Sequence, residues 1–178
     1  MHHSIRAITL ATAITANAMR ASAQHLQMPR DVTHAAHQAQ MQHETELKKR
    51  GDKAMGFDQD KVTHHFLLRR EGGTIQVEAK EAADAQTREL IRAHLQQIAA
   101  DFSNGDFHLP TATHAEMPAG AVAMKEQKGS IAYVFEQTAD GGRVVMTASN
   151  AAALTAVHDF LRYQIREHKT GDPMTIPE

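Results

Sequence analysis

The chain of 178 residues contains no cysteine and no tryptophan. Without thiols it can form no disulfide, and zinc–thiolate and iron–sulfur sites are excluded along with thiol nucleophiles. Aromatic residues make up only 4%, against 42% hydrophobic residues in all, so the core must be largely aliphatic and rich in alanine. Charge of one sign is not in excess. The formal net charge is −2 and the sequence pI is about 6.7. A nucleic-acid or anionic-membrane surface would require clustered positive charge, so neither partner is expected. No long hydrophobic run is present either. The most apolar stretch, residues 8–19, is too short to span a bilayer. Gly-x-Ser-x-Gly, Gly-x-x-x-x-Gly-Lys-Ser/Thr and Gly-x-Gly-x-x-Gly are all missing, and no spacing pairs Glu116, Asp159 or Glu167 across a cleft. The signatures of common enzymes are therefore absent.

What is abundant is histidine, with 13 residues, beside 9 methionines. The chain opens with a leader pattern. Arg6 supplies an early positive charge, a weakly apolar segment rich in Ala, Thr and Ile follows, and Ala21-Ser22-Ala23 forms a small-residue cleavage pattern. This predicts a signal peptide over residues 1–23 and a periplasmic or secreted protein. Removing Arg6 and Arg20 would take the net charge to −4, and removing His2 and His3 would leave 11 histidines.

Residues 24–56 read as a polar arm containing His and Met. Good helix formers from Val32 to Arg50 predict a helix, ended by Gly51, without a continuous apolar face, so the arm is expected to stand apart from the core. The domain proper is expected over residues 57–173, with a tail over 174–178. Lys61 to Arg70 alternates as a strand, placing Val62, His64, Phe66 and Leu68 on one face and His65 and Leu67 on the other. Glu71-Gly72-Gly73 reads as a turn, Thr74 to Lys80 as a return strand, and Ala85 to Phe102 as a helix. The pattern then recurs. Ser130 to Thr138 is a strand, Ala139-Asp140-Gly141-Gly142 a turn, Arg143 to Ala148 a strand, and Ala151 to His168 a helix capped by Asn150. Phe66 falls on Phe135, and Gly72-Gly73 on Gly141-Gly142, at a shift of 69 residues. Such self-similarity predicts an α+β fold of two ββα repeats, in which a four-stranded antiparallel sheet carries two helices on one face. Between the repeats, residues 106–129 form a connection longer than the usual ~4–6 residues.

Imidazole suits copper, zinc and nickel, and thioether suits Cu(I). The candidate metal ligands are His64 and His65 on the first strand, and His108, His114, Met117 and Met124 in the central connection. Neighbours on a strand point to opposite faces, so His64 and His65 cannot readily join one site, and His64 belongs on the helix side. Secondary candidates are His158 and His168 on the last helix, and His34, His37 and Met41 on one face of the arm. His158 and His168 lie ten residues apart, about 15 Å along a helix, and cannot chelate one ion. His94 occupies an apolar stripe of the first repeat's helix.

Met55-Gly56-Phe57-Asp58-Gln59, Thr63-His64-His65-Phe66 and the closing run from Phe160 to Pro173 resemble a family of small, uncharacterised exported bacterial proteins. Some members of that family are labelled aspartate carbamoyltransferase. The Ser-Thr-Arg-Thr-Arg phosphate loop of such an enzyme is absent here, and Thr87-Arg88 stands without it. The resemblance implies export and the limits of the domain, and implies no chemistry. The expectation is a periplasmic protein that binds or buffers a metal, copper preferred, without catalysis. The alternative is a module that binds a small ligand or a protein on its open sheet face, with a homodimer as one form.

Overall fold

The computed structural model describes residues 30–177, with side chains from His34 onward. The predicted signal peptide and the start of the arm lie outside the described residues. Helix α1 runs Arg30–Met55. The chain divides within it, and residues Met41–Glu178 form one compact unit. Of the part before Met41, His34 and His37 are exposed helical residues.

In the compact unit, β1 (Val62–Arg69), β2 (Gly72–Ala79), β3 (Ile131–Gln137) and β4 (Gly141–Ala148) form an antiparallel sheet of order β1-β2-β4-β3. The two repeats therefore meet along β2 and β4, where Ile75 pairs with Val144. Helices α2 (Ala85–Ser103) and α5 (Ala151–His168) cover one face. Their starts are set by side chains. Asp84 accepts hydrogen bonds from the Thr87 N–H at 3.0 Å and hydroxyl at 2.7 Å, and Asn150 accepts from the Ala153 N–H at 2.8 Å. Phe66, Leu68, Ile75, Val77, Val144 and Met146 are buried on the helix side against Ile91, Leu95, Val157 and Leu161. The two-repeat α+β architecture read from the sequence is the architecture observed.

The helices are exchanged between the repeats. α2 follows the first hairpin but lies mainly over β3 and β4, while α5 follows the second and lies mainly over β1 and β2. This crossing explains the paired glycines. They stand in the strands, and the first turn is Arg70-Glu71, because Arg69 already pairs with Gly72. A Cβ on Gly73 would collide with Leu161 Cδ1 and reach 2.7 Å from the Leu67 carbonyl. A Cβ on Gly142 would lie 2.7 Å from the Phe135 ring and 3.3 Å from Leu95 Cδ1. Gly73 and Gly142 thus let the partner repeat's helix approach the backbone, while a Cβ on Gly72 or Gly141 would collide with the Met146 or Val77 carbonyl of the neighbouring strand, roles different from the predicted turn.

Two further expectations are revised. α1 continues through Gly51, where a Cβ would collide with the Gln59 amide that donates to the Lys48 carbonyl at 2.9 Å. The residue serves close packing and does not end the helix. Leu47, on the same helix, is buried. The central connection is structured, with α3 (His108–His114) and α4 (Ala121–Glu126), and it buries Phe107, Ala121 and Met124 in the common core. Among the described residues no helix is long and apolar enough to cross a membrane.

Candidate functional site

Between the helix side of the sheet and α3 lies a cavity of about 70 Å³. Four histidines from four elements line it: His64 from β1, His94 from α2, His114 from α3 and His168 from the end of α5. Met55, Gln164 and Thr113 also line it, with apolar side chains for the rest. No Asp, Glu, Lys or Arg contributes to the lining.

Three of the rings form one group. The His64 and His168 rings lie 5.6 Å apart between centroids and 18° from parallel, and His114 meets His168 edge-on at 5.1 Å and 83°. His94 stands apart from this group, edge-on to Phe57 at 5.6 Å. His114 Nε2 lies 3.0 Å from Gln164 Oε1. Since that oxygen can only accept, Nε2–H donates and Nδ1 keeps its lone pair. His114 Nδ1, His64 Nε2 and Gln164 Nε2 are buried without a hydrogen-bond partner. Buried polar atoms in folded proteins are nearly always paired with protein or water, so these three atoms give the otherwise apolar cavity a polar side.

The electrostatics match the lining. Burial pushes His64 down to about 4, with His94, His65 and Lys80 adding to the effect. Burial alone takes His94 to about 4. Burial, then His64 and His114, takes His168 to about 3. Burial lowers His114 as well and Arg50 adds to this, against Gln164, Glu167 and Glu116, which pull it up. At neutral pH the cavity therefore presents neutral imidazoles, the form that donates a lone pair to a metal.

The remaining sequence candidates are placed elsewhere. His65 lies on the other side of β1, with Nδ1 2.9 Å from Asp172 Oδ1. Asp172 Oδ2 also accepts the outward Phe66 N–H at 2.9 Å, which closes one donor of an edge strand. His108 is exposed beside Asp106 at 3.3 Å. Met117 is half exposed, and its sulfur accepts from the Thr111 hydroxyl at 3.5 Å. Met124 is fully buried in the core. His158 Nε2–H points at the carbonyls of Arg69 and Gly72, at 2.9 and 3.0 Å, and ties the first hairpin turn to α5. Met41 is exposed on α1. The structure thus brings together His64, His114 and His168 from the candidate lists, and adds Met55 and His94. Met55 gave no sequence signal beyond its type, and His94 was visible only as a polar member of an apolar stripe.

As the rings stand, the described residues hold no group of three or more His, Asp or Glu side chains arranged to hold a metal. Near-parallel rings such as His64 and His168 cannot both aim in-plane lone pairs at one point. With a metal–nitrogen bond of ~2.0 Å, a ring centroid sits ~3 Å from the ion, so two rings sharing an ion must lie within ~6 Å. The separations of 5.1 and 5.6 Å meet that limit, and rotation of the rings is what coordination would require.

No family model matches the sequence. No solved structure matches it. The chain is similar to the allophycocyanin beta chain of Anabaena variabilis and to the allophycocyanin subunit beta of a Nostoc species, at 30% identity over 97 residues in each case. That stretch is 54% of this chain and 60% and 59% of the two relatives, so the chain spans about three-fifths of their length.

Proposed function

We propose that this protein binds or buffers a metal ion, copper preferred, in the cavity lined by His64, His114, His168 and Met55, without catalysis. The observation that carries the reading is the convergence of three neutral imidazoles, with unpaired nitrogens on His64 and His114, around one cavity. Imidazole and thioether together, with no thiolate in the chain, favour copper over iron or calcium. The leader pattern supports an activity in the periplasm or outside the cell. The test is a copper titration of the purified full chain against a His64→Leu/His168→Leu variant of similar core volume. Binding to wild type that weakens by about 100-fold in the variant supports the site, as expected when two of three ligands are removed. Equal binding by the two proteins refutes it.

A second reading rests on the outer face of the sheet. The register places Leu67, Thr74, Val145 and Val134 in one row across all four strands, and Val134 is 53% exposed. A second copy of the chain covering this row would make a homodimer. Sedimentation of wild type and Val134→Lys decides it: a dimer that the lysine dissociates supports the reading, and a wild-type monomer sinks it.

A further inference from the structure

We infer that the cavity binds a small uncharged primary amide, held at its polar end by Gln164, His114 and His64 and at its alkyl end by apolar walls. The inference goes beyond the metal reading and does not rest on it, since it uses the rings as they lie and needs no ion. Its basis is the three unpaired polar atoms on one side of the cavity, Gln164 Nε2, His114 Nδ1 and His64 Nε2. Gln164 and His114 are only 3% and 5% exposed. The bond between them fixes what each still offers. Gln164 Oε1 accepts from His114 Nε2–H at 3.0 Å, which leaves the Gln164 amino group to donate and His114 Nδ1 to accept. A ligand that satisfies both must carry an acceptor and a donor together. A primary amide does so: its carbonyl accepts from Gln164 and one of its N–H bonds donates to His114 Nδ1. The His64 ring, stacked on His168, can pair with either end of the amide according to its tautomer.

Size and charge narrow the class. At about 70 Å³ the cavity is roughly half of the ~150 Å³ that takes a benzene ring, which leaves room for about three to five non-hydrogen atoms. The charges nearest to it are engaged elsewhere. Glu116 accepts from the Tyr163 hydroxyl at 2.7 Å, Glu167 lies 3.0 Å from His43 Nε2, and Arg50 donates to the Thr113 carbonyl at 2.8 Å. Burial holds the His64, His114 and His168 rings neutral at pH 7. A charged ligand would lose its hydration with no opposite charge in the lining, whereas an amide exchanges hydrogen bonds to water for hydrogen bonds to side chains. Met55, Leu109 and Phe160 are among the apolar side chains of the other walls. Water would also fill the volume, but it leaves those walls wet, and an amide with a short alkyl end satisfies both sides.

The experiment uses the full chain, stripped of metal with a chelator, at about pH 7.5, where free imidazole is neutral as well. Acetamide, acetone and acetate share one skeleton, but acetone lacks the donor and acetate carries a charge. Each is titrated to about 100 mM while nitrogen–proton correlation spectra follow the His64 and His114 rings and the Gln164 amide. Acetamide is expected to shift all three groups saturably, with a dissociation constant of about 1–10 mM, in keeping with so few atoms in contact. Acetone should bind at least about tenfold more weakly, and acetate should give no saturable shift at these groups. His114→Phe, which removes the acceptor, should bring acetamide down to the affinity of acetone. Acetamide and acetone binding alike, or acetate saturating these groups, overturns the inference. So does the absence of any saturable shift, which leaves the cavity to water alone. The three probes on the wild-type protein decide the matter even where His114→Phe does not fold. None of these outcomes alters the copper titration above, which tests the metal reading by itself.

Discussion

Mild acid should unfold this protein through its cavity histidines. His64, His94 and His168 have folded-state values of about 4, 4 and 3, against 6.5 for an exposed imidazole. Below about pH 6.5 the unfolded chain takes up protons that the folded chain refuses, so folding stability is fully present above that pH and is lost as pH falls toward about 4. Between about pH 7.5 and 5.5 each such histidine removes ~1.3 kcal/mol, because the unfolded form protonates almost fully while the folded form stays neutral. Three together remove ~4 kcal/mol, a large share of the ~5–15 kcal/mol that stabilises an ordinary domain. The result depends only on the folded values lying well below 5.5. Asp58, Asp84 and Asp106 are held below the ordinary carboxylate value by the backbone N–H groups of Asp60, Thr87 and His108, so their share is lost only at lower pH. The assay is urea denaturation at the two pH values at constant ionic strength. A His94→Phe variant, which keeps an aromatic ring against Phe57, should lose about a third of the difference. Equal stability at both pH values, or greater stability in acid, would refute the reasoning.

Other substitutions probe the scaffold. Gly73→Ala should cost ~1–3 kcal/mol by urea denaturation, because the Leu67 carbonyl cannot yield as a flexible side chain would. Gly129→Ala, with nothing within 4 Å of the new Cβ, serves as the near-neutral control. Asp172→Ala should cost ~1–3 kcal/mol and speed hydrogen exchange at the Phe66 amide, since His65 and that N–H lose their shared acceptor. Unchanged exchange at Phe66 would show that the tail does not guard the edge. His158→Leu should cost ~1–3 kcal/mol by leaving the Arg69 and Gly72 carbonyls short of a donor, with metal binding unaffected.

The sheet and its helices were legible because their signals are local. Strand alternation placed His64 on the helix side and His65 on the other, and Asn150 announced the start of α5. The glycine pairs were misread as turns because a glycine-rich hairpin and a glycine under a crossing helix look alike in sequence. Only Leu161 above Gly73 and Leu95 above Gly142 separate the two cases. The site was half legible. His64, His114 and His168 stood among the candidates, but no spacing joins residues 55, 64, 114 and 168. Their meeting depends on α5 crossing over the first hairpin and on α3 folding where a loop was expected. Met124 and His158 looked like ligands by type, yet one fills the core and the other holds a turn.

The exchanged helices also set an order of assembly. Hairpin β1–β2 has its roof in α5, the last helix of the chain, while α2 waits for a hairpin that follows it. During synthesis the first hairpin's apolar side keeps only the partial cover that α2 gives to β2 until α5 has emerged. The cavity inherits that timing. One wall comes from β1 and another from the end of α5, so the cavity is not enclosed until α5 has folded back over the first hairpin.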